Sequence, residues 1–301
     1  MIAFIDAHRQ VAGVEPMCRL LQIAPSTYYA RKAQERDPSL RSDRAKSDEA
    51  AMVLIKTSHA ESHGLYGARK VYHDLRRHGH DLARCTVERL MRALGLQGAR
   101  RLKRVRTTVA DPAAARPLDK VQRHFHAPAP NRLWISDFTY VSTWQGMVYV
   151  AFVVDVYALK IVGWRVSTSM ETAFVLDALE QALHDRRPHA NDGLIHHSDR
   201  GSQYVSIKYT GRLAEAGIEP SVGSVGDSYD NARAETLIDL YKAEVIWRQR
   251  SWKSVGDVEW ATLKWVHWYN TKRLLSSIGY RPPNQAEEDY YQHQQQLNKA
   301  A

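Results

Sequence analysis

Three carboxylates, Asp137, Asp199 and Glu235, could carry chemistry in the C-terminal part of the chain. Asp137 lies in RLWISDFTYVST, where period-two counting puts it on one face with Leu133, Ile135, Thr139 and Val141. An ionised carboxylate on an apolar face is costly without a partner, so Asp137 must meet a cation or lie at an open end of the sheet. Asp199 ends the short segment GLIHHSD and opens the turn RGSQY, where a side chain projects from a sheet edge into a crevice. Glu235 belongs to a helical segment of about residues 231 to 247. It shares a polar face with Asp239 and Lys242, at i+4 and i+7, while Ile238, Tyr241 and Val245 share another. Converging acids repel, which raises at least one pKa unless a divalent cation neutralises them, and oxygen-only ligands favour Mg²⁺ or Mn²⁺. Two such ions, about 3.5–4 Å apart, activate an attacking oxygen and stabilise a leaving one in phosphoryl transfer. Taken singly, each acid also reads as a helix cap or a surface charge.

The elements that must position these acids read as an α/β domain with a mixed sheet. RLWISDFTYVST, GMVYVAFVVDVY and IVGWRVST are strands joined in hairpin order, and the middle one is almost continuously apolar, as a strand buried on both faces should be. A helix with Val175, Ala178, Leu179 and Ala182 at core spacing leads to GLIHHSD, and strand–helix–strand implies a parallel crossover. IKYTGRLAEAG reads as a helix and EPSVGS as a last strand; SVGDVEWATLKWVHWYNTKR makes one more helix, and QHQQQLNKAA is expected to be a frayed or disordered end.

The charge distribution divides the chain. Of 301 residues carrying a net +9, residues 1–127 hold 24 Lys and Arg against 13 Asp and Glu, and the remainder holds 18 against 20. The excess therefore belongs to a part that suits a polyanion, joined to a slightly acidic part. Two helical pairs lie in the basic part. The first is EPMCRLLQ and STYYARKAQ, with Ser26 placed to cap the second helix. The second is clearer: Ala68, Val71, Tyr72 and Leu75, a turn HGHDLA, then Val87, Leu90, Met91 and Leu94, which is helix-turn-helix spacing. The second helix of such a pair enters the DNA major groove and here offers Arg84, Thr86 and Arg89; a plain helical hairpin with solvated arginines is the other reading. Arg100, Arg101, Lys103, Arg104 and Arg106 form a basic run that suits phosphate rather than base edges. The organisation is thus 1–48 N-terminal helical, 49–98 helix-turn-helix, 99–130 a basic Pro/Ala linker, 131–290 catalytic and 291–301 a flexible tail.

The remaining candidates have simpler readings. His196 and His197 are adjacent on a strand and point to opposite faces, so they suit support of the site better than zinc. His59 and His63 near Cys85 lack the cysteine pair of a zinc site. Asp155 reads as a strand-end cap, Asp230 and Asn231 as caps of the Glu235 helix, and Trp260, Trp265 and Trp268 mostly as core, with base stacking the weaker alternative. Cys18 and Cys85 form no CxxC and are expected to be free, mostly buried thiols. No apolar run reaches the ~18–20 residues a membrane span needs, so a soluble, cytoplasmic protein is expected.

WISDFTYVS, HHSDRGSQYVS and SYDNARAETLIDLYKAE together resemble the three catalytic blocks of the insertion-sequence-three family of transposases, relatives of retroviral integrase. Thirty-five residues separate Asp199 from Glu235, the spacing after which the DD(35)E class is named, and Lys242 supplies that pattern's basic residue seven positions after the glutamate. HGLYGARKVYHDLRRHGHDLARCTVERLMRALGL and WYNTKRLLSSIGYRPPNQA resemble other regions of the family, and ADPAAARP and APAPNRLW its mycobacterial-type members. The resemblance implies an RNase H-like catalytic domain. It also implies Mg²⁺-dependent cleavage at the ends of a mobile element and joining of a freed 3′-OH to another DNA, with Asp137, Asp199 and Glu235 holding two ions and Lys242 a DNA phosphate. It further implies double-stranded DNA as partner and a homo-oligomer on that DNA. No heptad zipper is present, so the chain resembles a downstream-frame product whose partner is the upstream-frame product. A DNA-binding regulator with an inert catalytic half, and an RNase H-like nuclease that cuts without joining, are the rival readings.

Overall fold

The computed structural model describes residues 1–99, 127–189, 193–198, 204, 206–222, 232–249 and 251–300. Backbone contacts divide the chain into Met1–Gln97 and Gly98–Ala301.

The first unit is helical: α1 (Ile2–Ala12), α2 (Val14–Leu20), α3 (Pro25–Arg36), α4 (Asp43–Glu61), α5 (Ala68–Arg77) and α6 (Arg84–Ala93). Ile5, Met17, Cys18 and Tyr28 close a small core among α1, α2 and α3. Helices α4, α5 and α6 pack pairwise, burying Ile55 of α4, Val71 and Leu75 of α5, and Val87, Leu90 and Met91 of α6. The predicted second helical pair is therefore present with its apolar stripes turned inward. Ser58 Oγ donates to Asp74 Oδ2 at 2.6 Å between α4 and α5, and Arg89 Nη2 donates to Asp48 Oδ1 at 2.7 Å between α6 and α4. Helix α4 runs through residues 48 and 49; of its buried positions, Ala51, Ile55 and Ser58, only Ile55 is a large apolar residue, which is too little to announce a core face.

Two expectations fail in this unit. Ser26 does not cap α3: Ala24 is the N-cap and Pro25 occupies the first turn, where its missing N–H costs nothing, leaving Ser26 inside the helix. Cys85 is exposed rather than buried, because it lies on the face of α6 opposite Val87 and Met91.

The second unit is built on a five-stranded sheet of order β3-β2-β1-β4-β5. Its strands are β1 (Leu133–Thr143), β2 (Gly146–Asp155), β3 (Lys160–Ser167), β4 (Ile195–Ser198) and β5 (Glu219–Val222). β1 to β3 pair antiparallel through hairpins, while β4 and β5 add in parallel beside β1. This is the mixed α/β sheet expected of an RNase H-like domain. The helices are α7 (Thr172–Arg186), α8 (Ile207–Glu215), α9 (Ala232–Glu244), α10 (Val255–Thr271) and α11 (Pro283–Ala300).

Alternation along β1 and β2 sends side chains to two cores. Trp134, Ala151 and Val153 meet Phe174, Leu179 and Tyr209 of α7 and α8 on one face. Phe152 meets Tyr241 of α9 and Trp265 of α10 on the other, with ring centroids 5.1 and 6.0 Å away. Trp265 and Trp268 are buried, but Trp260 is 60% exposed, on the outer side of α10 under Lys264. The glutamine-rich end expected to be a flexible tail continues α11 to Ala300; Gln, Leu, Lys and Ala are good helix formers, and buried Ala286 and Glu287 anchor the first turns.

β3 and α7 approach through a missing side chain. A Cβ on Gly163 would lie 2.0 Å from the Ala178 carbonyl oxygen and 3.1 Å from Ala182 Cβ. Gly163→Ala should destabilise the fold by about 3 kcal/mol, read as a lowered urea midpoint. Gly211→Ala in α8, where a Cβ meets nothing within 4 Å, should be neutral or stabilising by up to about 1 kcal/mol. Equal midpoints for the two variants would sink the close-packing account.

His196 supplies a second test. Burial, and then the neighbouring His197, hold its imidazole down to a pKa of about 3. As pH falls, the unfolded chain takes that proton first, near the ordinary ~6.5, so the stability due to neutral His196 is full above that pH and is lost towards pH 3. Between pH 6.5 and 4, His196→Gln should therefore flatten the fall of unfolding free energy with acidity by up to about 1.4 kcal/mol per pH unit. Identical slopes in the two proteins would contradict a buried, neutral imidazole.

Candidate active site

β1 carries Asp137 in the middle of the sheet. On one side β1 pairs with β2 from Trp134 to Thr143; on the other, among the described residues, it pairs with β4 from Leu133 to Ser136. Ser136 pairs with Ser198, and the next residues in sequence are Asp137 and Asp199. Asp199 itself lies outside the described residues. In open sheets of this kind the crevice beyond the carboxyl ends of parallel strands is the usual ligand site.

Asp137 pairs across the ladder with Phe152, and cross-strand partners share a face. Because Phe152 meets Tyr241 of α9, the Asp137 face is the face that α9 covers. Glu235 is six residues before Tyr241, about 9 Å along the helix axis, towards the helix N-terminus. Asp137 and Glu235 are both half-buried, and Asp137 Oδ1 accepts from the Phe138 N–H at 2.8 Å. Lys242, one residue after Tyr241, reaches over Tyr140 of β1 with its Nζ 5.5 Å from the ring centroid.

Buried polar contacts hold this framework. Ser136 Oγ and Tyr209 OH lie 2.7 and 3.1 Å from His196 Nε2, joining β1, β4 and α8. His197 Nδ1 lies 2.9 Å from Ser221 Oγ, joining β4 to β5. The adjacent histidines thus serve opposite faces, as expected of residues that support a site. At the far end of β2, Asp155 accepts from the N–H groups of Asn131 and Tyr157 at 2.7 and 3.0 Å, with Arg186 at 3.4 Å. Burial pushes its carboxyl up against those bonds, and its place opposite Trp134 sets it three residues along the ladder from Asp137 and on the other face of the sheet.

Helix α9 has a support that sequence reasoning missed. Glu244, at its end, accepts from Arg273 Nε at 2.9 Å and from Trp265 Nε1 at 3.0 Å, and both charged side chains are more than nine-tenths buried. Tyr241 OH and Thr262 Oγ1 lie 2.7 Å apart. Glu244 is close to Lys242 in sequence and reads there as one more surface charge; only the distant Arg273 reveals its role. Glu287 of α11 is a second such case, buried against Lys160 at 2.7 Å and Arg186. Burial raises its pKa, but these two cations outweigh that and hold it low.

In the helical unit, Arg84 begins α6 and pairs with Glu88 at 3.1 Å, Thr86 is half-buried, and Arg89 is tied to Asp48 of α4. Arg100, Arg101, Lys103, Arg104 and Arg106, with Asp230 and Asn231, lie outside the described residues. Among the described residues no three His, Cys, Asp or Glu side chains gather as metal ligands, and no helix is long and apolar enough to cross a membrane.

Family comparisons agree with these elements. Residues 46–104 match an HTH-like domain, and residues 127–228 and 216–283 match integrase core domains. The transposase for insertion sequence element IS629 of Shigella sonnei is 56% identical over 97% of each chain. A relative from element IS986/IS6110 of Mycobacterium tuberculosis is 55% identical over 91% of this chain and 98% of its own, so the mycobacterial resemblance is shared with an enterobacterial relative. A chain of a simian T-cell lymphotropic virus intasome covers 78% of this chain and 74% of its own, at a TM-score of 0.46 and 13% identity. With an integrase core, an HTH-like domain and full-length relatives above one-half identity, the chain belongs to the insertion-sequence-three family of transposases.

Proposed function

We propose that Asp137, Asp199 and Glu235 form a DDE centre that cleaves DNA at the ends of an insertion sequence and joins the freed 3′-OH to a second DNA. The observation that supports this reading is the parallel pair of Ser136 with Ser198, which two of the acids follow directly in sequence, with α9, the helix of Glu235, packed on the Asp137 face of β1. Oxygen donors alone suit Mg²⁺ or Mn²⁺, and two bound ions would supply Lewis acidity at the attacking and leaving oxygens. The residues' own work is to hold position: β1 carries Asp137 beside β4, which Asp199 follows in sequence, and Phe152, Tyr241 and Glu244 keep α9 in place.

The rest of the chain serves that chemistry. Lys242 holds a phosphate near the scissile bond, with the Tyr140 ring steering its ammonium. Residues 49–98 grip the element end through Arg84 and Thr86. Arg89 contributes mainly by fixing α6 on α4, since its guanidinium is engaged by Asp48. Residues 1–48 complete the helical part. The basic run from Arg100 to Arg106, in a linker of 99–130, neutralises backbone phosphates ahead of a catalytic domain at 131–290. Two element ends must be bridged, so the protein works as a homo-oligomer on double-stranded DNA, with the upstream-frame product as a further partner, in the bacterial cytoplasm on the nucleoid.

Asp137→Asn, Asp199→Asn and Glu235→Gln should each lower cleavage and joining of end oligonucleotides in Mg²⁺ by about a thousandfold or more while sparing DNA binding. Joining by Glu235→Gln at the wild-type rate would refute the assignment. The same assay separates the rivals: binding without cleavage marks a regulator, and cleavage without joining marks a nuclease. Lys242→Ala should weaken binding of end DNA and reduce the slope of log affinity against log salt by about one; an unchanged slope would remove Lys242 from the DNA contact.

A further inference from the structure

The far end of β1 carries two large aromatic side chains that the fold does not bury. Tyr140 is 61% exposed, and Trp144, in the turn between β1 and β2, is 71% exposed. Each has an ammonium beside its ring: Lys242 at Tyr140 and Lys253, with Nζ 5.8 Å from the centroid, at Trp144. The turn is pinned. Trp144 N donates to Trp252 O at 3.0 Å, Thr143 Oγ1 donates to Gly146 O at 2.8 Å, and the buried Trp252 indole donates to Ile246 O at 3.2 Å. Met147 and Trp247 add further exposed apolar surface on the neighbouring chain segments.

A rigid hairpin that holds an indole in water loses the stabilisation that burying it would bring. Aromatic faces with cations beside them are the surface that takes a nucleic-acid strand: the ring stacks on a base and the ammonium meets the phosphate. The geometry relates this surface to the proposed centre. Antiparallel strand rises about 3.4 Å per residue, and B-form DNA rises about 3.4 Å per base pair. Trp144 lies seven residues beyond Asp137 along the chain, a span of about seven base pairs of B-form DNA, and Tyr140 lies between them on the other face of β1.

We propose that Trp144 and Lys253 form a second DNA grip, about seven nucleotides from the reacting phosphodiester, in which Trp144 stacks on a base turned out of the duplex and Lys253 holds the adjoining phosphate. This rests on the reading of Asp137 as part of the reacting centre.

The test uses the full chain with end DNA carrying 5-iododeoxyuridine at single positions from three to eleven nucleotides from the cleavage point. Ultraviolet cross-linking should give adducts on the Trp144 peptide from positions near seven. By fluorescence anisotropy Trp144→Ala should weaken binding about tenfold, Trp144→Phe should restore most of it, and Lys253→Ala should reduce the salt slope by about one. Wild-type affinity and slope in both alanine variants, or adducts only elsewhere, would overturn the inference. So would a loss of self-association on sedimentation of Trp144→Ala with DNA affinity intact, which would make the surface a contact between two copies of the chain. Cleavage by Asp137→Asn, measured in parallel, reports on the centre separately: its persistence would defeat the DDE reading without altering the anisotropy of Trp144→Ala.

Discussion

Parallel strands cannot be joined by a tight turn, so setting β4 beside β1 obliges the chain to pass through α7 and return from the opposite end of the sheet. The catalytic unit answers to that crossover. It makes both strands point the same way, so that Ser136 and Ser198 pair side by side. It requires close contact between β3 and α7, which Gly163 permits by having no side chain. It also buries β4 between β1 and β5, where the His196 and His197 rings must be satisfied from within, by Ser136, Tyr209 and Ser221.

Polar groups buried outside the proposed centre have a common task. Glu244 with Arg273 ties the end of α9 to the end of α10, while Asp155, Arg186, Glu287 and Lys160 tie α11 to the base of the sheet. Buried ion pairs often add little net stability, because each charge loses its hydration. What these pairs supply is geometry: the helix bearing Glu235 is held at its far end by a buried ion pair and by edge-to-face contacts of Tyr241 with Phe152 and Trp265.

The chain's charge is uneven along its length. Residues 1–127 hold the positive excess, and residues 128–301 are slightly acidic. Within that acidic part Lys242 and Lys253 stand over aromatic rings of β1 and the turn after it. Local arrangement, rather than net charge, decides where such a unit could meet a polyanion.

Much of this was legible in residue patterns. The unbroken apolar run of β2 announced a central strand, the alternation in β1 put Asp137 on one face with Ile135 and Thr139, and the apolar spacing of α5 and α6 announced their packing. These are periodic signals carried by neighbours in sequence. Helix α4, the ordered end of α11, the exposure of Cys85 and Trp260, and the displaced cap of α3 were not legible, since each depends on which face a distant element covers. Residue patterns alone carried the strands of the sheet, the helices with a strong apolar stripe, and the three acids with their spacing, because short-range sterics and hydrophobic period act along the chain. Folding in three dimensions set the pairing of Arg89 with Asp48, of Glu244 with Arg273 and of Glu287 with Lys160 and Arg186, and it left Trp144 exposed. Partner choice for a charge, and burial for a ring, are settled by whatever residue the fold brings within a few ångströms, at separations in sequence that no local pattern encodes.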